Sequence, residues 1–171
     1  MAKRIGKYKV SKKESALSAL DGGLVTGIGV QATIVSAETT LPSANGTTDI
    51  SFALPSGALV KDFGFVVTSQ VGGGSSGGTM SVKLGTAVGG DELLASATVA
   101  DGNSTIAVGA SMSVLNAVEA DASGAAFADF TDAATLYSST ARTIHARFTQ
   151  ASGAAAADGK VIAFVDYIVV S

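Results

Sequence analysis

Val71 to Thr86 reads VGGGSSGGTMSVKLGT, and the residues after the glycines decide between two kinds of fold. Gly72, Gly77 and Thr79 stand where a phosphate-binding loop, G-x-x-x-x-G-K-[ST], has its two glycines and its hydroxyl. Gly78 takes the place of the lysine that would reach the phosphates. A phosphate cradle also needs a helix N-terminus behind the loop, with free N–H groups aimed at the anion. Here Met80, Val82 and Leu84 alternate with Ser81 and Lys83, a period of two that belongs to a strand with one buried face. The glycines therefore read as a loose connection, Gly72 to Gly78, closing a hairpin between two strands.

The same period runs through most of the chain. Ile28, Val30, Ala32 and Ile34 alternate with Gly29, Gln31 and Thr33, and Ile50, Phe52 and Leu54 alternate with Ser51 and Ala53. Pro55-Ser56-Gly57 is a turn. The strand after it, Ala58 to Gln70, puts Phe63, Phe65 and Val67 on one face and Asp62, Gly64 and Val66 on the other. In ARTIHARFTQ, Ile144, Ala146 and Phe148 oppose Thr143, His145 and Arg147. Lys160 to Val170 is apolar on both faces apart from Asp166, as in a strand covered on both sides. Asp91 to Ala100 fits either one helical turn or a short strand, Ile106 to Val114 alternates weakly, and 119–134 reads as a long loop. About eight strands with turn signals between them predict an antiparallel β-sandwich or jelly roll. No internal repeat is visible, which argues against a propeller or solenoid.

The N-terminal segment differs from the rest. Residues 1–13 hold six of the eleven basic side chains and no acid, whereas from Glu14 onward five basic residues face fourteen acidic ones. Behind this arm, Ser11 and Glu14 form a capping box, Ala16, Leu17 and Leu20 share a stripe, and Gly22 or Gly23 can end the helix. A helix so short is marginal alone and should order against the body or a partner. The expected organisation is an arm and helix over 1–23 and a sandwich over 24–171.

At 171 residues the chain is long enough for one real core. Charged residues are 15% of it, against a typical ~25%, and hydrophobic residues are 47%. A surface so poor in charge suits a protein that works in an assembly. There is no cysteine, so no disulfide framework or thiolate metal site can form. No apolar run approaches the ~18 residues of a membrane span, and no apolar segment follows the basic N-terminus as in an export signal, so no membrane partner is expected.

Candidate chemistry is thin. The single histidine, His145, points outward from a strand as a surface residue. Asp91 with Glu92, Asp129 with Asp132, and Asp101 to Asn103 read as solvated turn residues rather than metal ligands. No nucleophile elbow, zinc-protease motif or Cys–His partnership is present, so no enzyme, cofactor or metal is expected. Lys3, Arg4, Lys7, Tyr8, Lys9, Lys12 and Lys13 are the candidate docking residues. Nucleic-acid stacking modules interleave several aromatics where this arm has one, so an acidic protein surface fits it better. Single exposed ion pairs give only ~0.2–1 kcal/mol, so such an arm becomes effective when many copies dock together.

Three segments carry a resemblance to the small β-sandwich virion proteins of tailed bacteriophages, particularly of cyanobacterial viruses. LPSGALVKDFGFVVTSQV resembles that family's strand entered through a Pro-x-Gly turn. GGTMSVKLGTAVGGDELLASATV is similar to its G-T-x-x-V strand and acidic turn, and ARTIHARFTQASGAAAADGKVIAFVDYIVVS to its closing hairpin. AKRIGKYKVSKKESAL resembles the start of such proteins, and 119–134 departs from the pattern. The resemblance implies a non-enzymatic head decoration or knob protein, found in the virion and assembled in the host cytoplasm. It also implies attachment to the major capsid protein or other virion proteins and self-association, most often as a homotrimer. A receptor- or glycan-binding fibre module is the alternative, although no Trp and three Tyr supply few rings for stacking on sugars.

Overall fold

The computed structural model describes residues 30–72, 78–101, 104–115, 130–131, 133–151 and 159–170. The arm, the 11–23 helix and most of 119–134 lie outside these residues. In chain order the elements are β1 (Val30–Val35), β2 (Thr39–Thr40), β3 (Gly46–Leu54), β4 (Ala58–Ser69), β5 (Val71–Gly72) and β6 (Thr79–Gly85). The chain continues with β7 (Leu94–Asp101), β8 (Thr105–Ile106), β9 (Ser111–Ser113), one helical turn α1 (Ala133–Leu136), β10 (Tyr137–Ser138), β11 (Arg142–Ala151) and β12 (Lys160–Val169).

These strands form two main sheets in which every pair is antiparallel. Sheet A runs β1–β12–β4–β10, with β2 continuing the β1 side of β12 and β9 continuing the β10 side of β4. Sheet B runs β3–β11–β6–β7. If β1 and β2 share one position and β9 and β10 another, each sheet has four positions. In chain order these read 1-8-3-6 in sheet A and 2-7-4-5 in sheet B. The pairs 1–8, 2–7, 3–6 and 4–5 are those of one long antiparallel ribbon doubled on itself. Rolling that ribbon until position 8 meets 3 and 7 meets 4 gives a jelly roll.

Two expected hairpins are absent. The strands flanking the glycine-rich segment lie in opposite sheets, β4 in A and β6 in B, so the connection crosses the sandwich. On the way, Val71 and Gly72 pair with Ile106 and Thr105, and Val71 and Ile106 are both buried. β11 and β12 are likewise in opposite sheets. β11 is flanked by β3 and β6, and β12 by β1 and β4, so neither has a free edge for the other. Leu94–Asp101 resolves as a strand, with Leu94, Ala97, Val99 and Ala100 buried against the core. Of the weak alternation after it, Ile106 and Met112 are buried while Val108 is 64% exposed in a turn. The helical turn α1 falls at the end of the segment expected as a loop.

The turn at Pro55–Gly57 carries the chain from β3 to β4, and Gly57 has a φ of 74°, in the left-handed region that favours glycine. Its N–H donates to the Ser138 carbonyl and its carbonyl accepts from Val170 N–H, which ties this corner to β10 and to the end of β12.

The inward side chains are those that the alternation marks. Ile50, Phe52 and Leu54 of β3, Phe63, Phe65 and Val67 of β4, and Met80, Val82 and Leu84 of β6 are buried. So are Ile144, Ala146 and Phe148 of β11 and Val161, Ala163 and Val165 of β12. Phe65 of sheet A meets Phe148 of sheet B edge to face, with ring centroids 5.3 Å apart, and Phe52 meets Phe63 similarly at 6.4 Å. Phe148→Ala should cost about 3–5 kcal/mol by opening a cavity between the sheets. The check is urea unfolding, where the midpoint should fall while the slope stays unchanged.

Candidate interaction surface

Each sheet has an outward face, and the two differ in chemistry. On sheet B, Asp49 and Ser51 of β3, His145 and Arg147 of β11, and Lys83 of β6 share one side. Arg147 donates from Nε to Asp49 Oδ1 at 2.7 Å and from Nη2 to Oδ2 at 2.8 Å, a two-pronged pair with Lys83 opposite on the next strand. Ser51 Oγ and His145 Nδ1 share a hydrogen bond of 2.9 Å. At the end of β6, Glu92 Oε2 accepts from Thr86 N–H at 3.0 Å and holds the 85–92 loop in place. The acids expected as solvated turn residues thus include one with a structural partner. Arg142, at the start of β11 on the same side of the strand as Ile144 and Phe148, donates to the Thr135 and Leu136 carbonyls at 2.7 Å each, a cation at the end of a helical turn.

On sheet A three rows of residues cross the outward face. Val35, Phe164, Gly64 and Ser113 are successive cross-strand partners on β1, β12, β4 and β9. Above them run Thr33, Asp166 and Asp62, and below them Ile162, Val66 and Ser111. Phe164 lies over Gly64: a Cβ at Gly64 would come within 2.5 Å of the ring's Cζ and 2.4 Å of the Met112 carbonyl oxygen. Glycine is needed here for close approach, so the ring can fold across the strand. Beside it opens a groove of about 340 Å³ lined by Asp62, Val66, Ser111, Met112, Ser113, Phe164 and Asp166.

The two acids in the groove are direct partners across β4 and β12. Asp62 is 6% exposed, and its Oδ1 accepts from the N–H groups of Phe63 and Leu115 at 2.9 and 3.0 Å. Asp166 accepts from the Thr33 hydroxyl. Like charges placed directly opposite in a ladder repel, and among the described residues no lysine or arginine lines the groove. Asp166 stands out in the sequence as the one acid in an apolar strand, but its pairing with Asp62 depends on a register that no local pattern reveals.

Lys3, Arg4, Lys7, Tyr8, Lys9, Lys12 and Lys13 lie outside the described residues. Among the described residues, no cluster of three or more His, Cys, Asp and Glu side chains could hold a metal ion. No helix among them is long and apolar enough to cross a membrane.

No family model and no curated protein matches the sequence. Among solved structures the chain is similar to one in the capsid of Ralstonia phage GP4, with 17% identity, a TM-score of 0.46, and coverage of 82% of this chain and 85% of that one. It is also similar to a chain of infectious bursal disease virus strain Gx, at 8% identity and a TM-score of 0.33, covering 84% of this chain and 39% of that one. A chain of strain Gt is matched at 13% identity and a TM-score of 0.28, with 38% of that chain covered. Identities this low transfer no residue from one chain to another.

The hydrogen bonds on sheet B set an acid sensitivity. The Arg147 hydrogen bond holds the Asp49 carboxyl below its ordinary 3.8, and the backbone N–H groups of Glu92 and Thr86 hold Glu92 below its ordinary 4.5. A carboxylate lowered in the folded state stabilises the fold above its ordinary value, and that contribution is lost as pH falls through the lower folded value. The melting temperature is expected to change little between about pH 7 and pH 5 and to fall below about pH 4. Asp49→Asn should remove part of that fall, at a cost of about 1 kcal/mol or less at neutral pH. A decline already complete at about pH 6 would contradict the assignment.

Proposed function

We propose that this chain is a non-enzymatic structural protein of a phage virion, a head decoration or knob protein. In this reading the basic arm docks on the shell, through the major capsid protein or another virion protein, or on a neighbouring subunit, and the jelly roll associates with copies of itself, as a trimer. The observation that carries the reading is the contrast between the two outward faces. Sheet B is finished with charged and hydroxyl side chains that pair among themselves. Sheet A presents Val35, Ile162, Phe164 and Val66 together with two opposed carboxylates, no cation lines its groove among the described residues, and an ion pair, Lys160–Glu38, lies at the far end of β12. A face of that kind is suited to burial against another protein surface.

Two further features support this reading. The fourteen acids all lie from Glu14 onward while residues 1–13 are purely basic, so the chain carries both halves of an electrostatic contact. The resemblance of LPSGALVKDFGFVVTSQV and the C-terminal strands to virion proteins points the same way.

Mass spectrometry of purified particles tests the role through the copy number of this chain relative to the major shell protein. Deleting residues 1–13 should leave a folded body and lower incorporation by about tenfold or more, because the arm's weak contacts act together. Normal incorporation of the truncated chain removes the docking role from the arm. Absence of the full-length chain from intact particles removes the virion role itself.

A further inference from the structure

We propose that the groove on the outward face of sheet A is the receptor for the basic arm of a second copy of this chain. The proposal rests on the self-association assigned to the jelly roll and supplies the contact that makes it.

Among the described residues that line the groove there are two carboxylates and no cation. Asp62 and Asp166 face each other on adjacent strands, and the other lining residues are Val66, Ser111, Met112, Ser113 and Phe164. A lysine or arginine side chain answers both halves of this lining. Its head group placed between the carboxylates offsets their repulsion, and its alkyl stem lies along Phe164 and Val66. A metal ion fits less well, since two carboxylates with serine hydroxyls fall short of the six to eight oxygen ligands that calcium takes. The volume of about 340 Å³ admits one or two long side chains but not a folded element.

Residues 1–13 are the densest source of such side chains, with Lys3, Arg4, Lys7, Lys9, Lys12 and Lys13 and no acid among them. The remaining cations of the chain are five, and Arg147 and Lys160 among them already pair with Asp49 and Glu38. Sixteen residues separate Lys13 from Val30, and with the expected helix formed over 14–22 and the rest extended this tether spans roughly 40 Å. A domain of this size is roughly 40 Å across, so a tether of that length carries the arm off its own body to a neighbour packed against it. Each copy then offers one arm and one groove. Such a contact is heterologous, and it closes into a ring when the rotation between copies permits.

Full-length protein carrying a photoreactive benzoylphenylalanine in place of Tyr8 provides the test, with light and heavy isotope-labelled chains mixed before irradiation. Cross-links are expected to join light to heavy chains and to map to the 111–115 and 160–169 segments. The double variant Asp62→Asn, Asp166→Asn keeps the side-chain acceptors and should lower the yield at least fivefold. Ser111→Arg supplies the groove with its own cation, and it should have the same effect should the double variant fail to fold. Cross-links confined to single chains, cross-links to other parts of the body, or a yield indifferent to these substitutions would each overturn the proposal. A chain that cross-links as expected yet is missing from purified particles keeps this contact and loses the virion role.

Discussion

The contact between Phe65 of β4 and Phe148 of β11 joins the two sheets at their centre, and the rest of the structure is arranged around keeping such contacts dry. Both rings are buried and meet edge to face, an arrangement worth ~0.5–1.5 kcal/mol beyond the area that it hides. Every long strand contributes alternate residues to the same layer, so the period of two is a consequence of having one interior shared by two sheets. Rolling the ribbon places β4 and β11 back to back, and it does so only after positions far apart in sequence have met. Thr33 bonds Asp166 across 133 residues, so the outermost pair of the ribbon closes over the longest loop. The entropy of that closure makes this topology slow to fold compared with hairpin-rich sheets of equal size.

That dependence on distant pairing explains what the sequence makes legible and what it hides. The apolar residues of Ile50–Leu54, Phe63–Val67, Met80–Leu84 and Ile144–Phe148 identify both the strands and their inward faces, because burial acts on each side chain where it stands. Which strands pair is another matter. Gly72 to Gly78 has the composition of a hairpin loop, and so does SGAAAADGK, yet both connect strands of opposite sheets. Glycine marks a change of direction without saying whether the chain turns back within one sheet or crosses to the other. The same limit hides the groove: Asp62 and Asp166 look like ordinary outward acids until the β4–β12 register sets them opposite each other.

Charge follows burial in a similar way. On sheet B an acid and a base of neighbouring strands fall opposite one another, so Asp49 and Arg147 pair in place and Lys83 leaves the row with one positive charge. On sheet A the corresponding row is Thr33, Asp166 and Asp62, and the neighbouring rows are mostly apolar. A sheet face with two directly opposed acids beside a ring folded over a glycine makes a poor solvent surface and a good complement to a basic segment. The two faces thus divide the work: one is self-sufficient in water, and the other is left to be matched.

The edges of the sheets reinforce that division. Both edges of sheet A are broken. β1 and β2 are separated at Ser36–Glu38, where the Ser36 hydroxyl accepts from Ala163 N–H in place of a strand partner, and β9 and β10 are separate short strands on β4. Neither edge offers a long row of free backbone groups to an incoming strand, which discourages growth of the sheet by edge pairing. Sheet B has longer edges in β3 and β7, and the β3 edge carries Asp49 already engaged with Arg147. With its edges interrupted, sheet A can meet another chain mainly through its face, and the side chains there favour a partner that brings positive charge on long apolar stems.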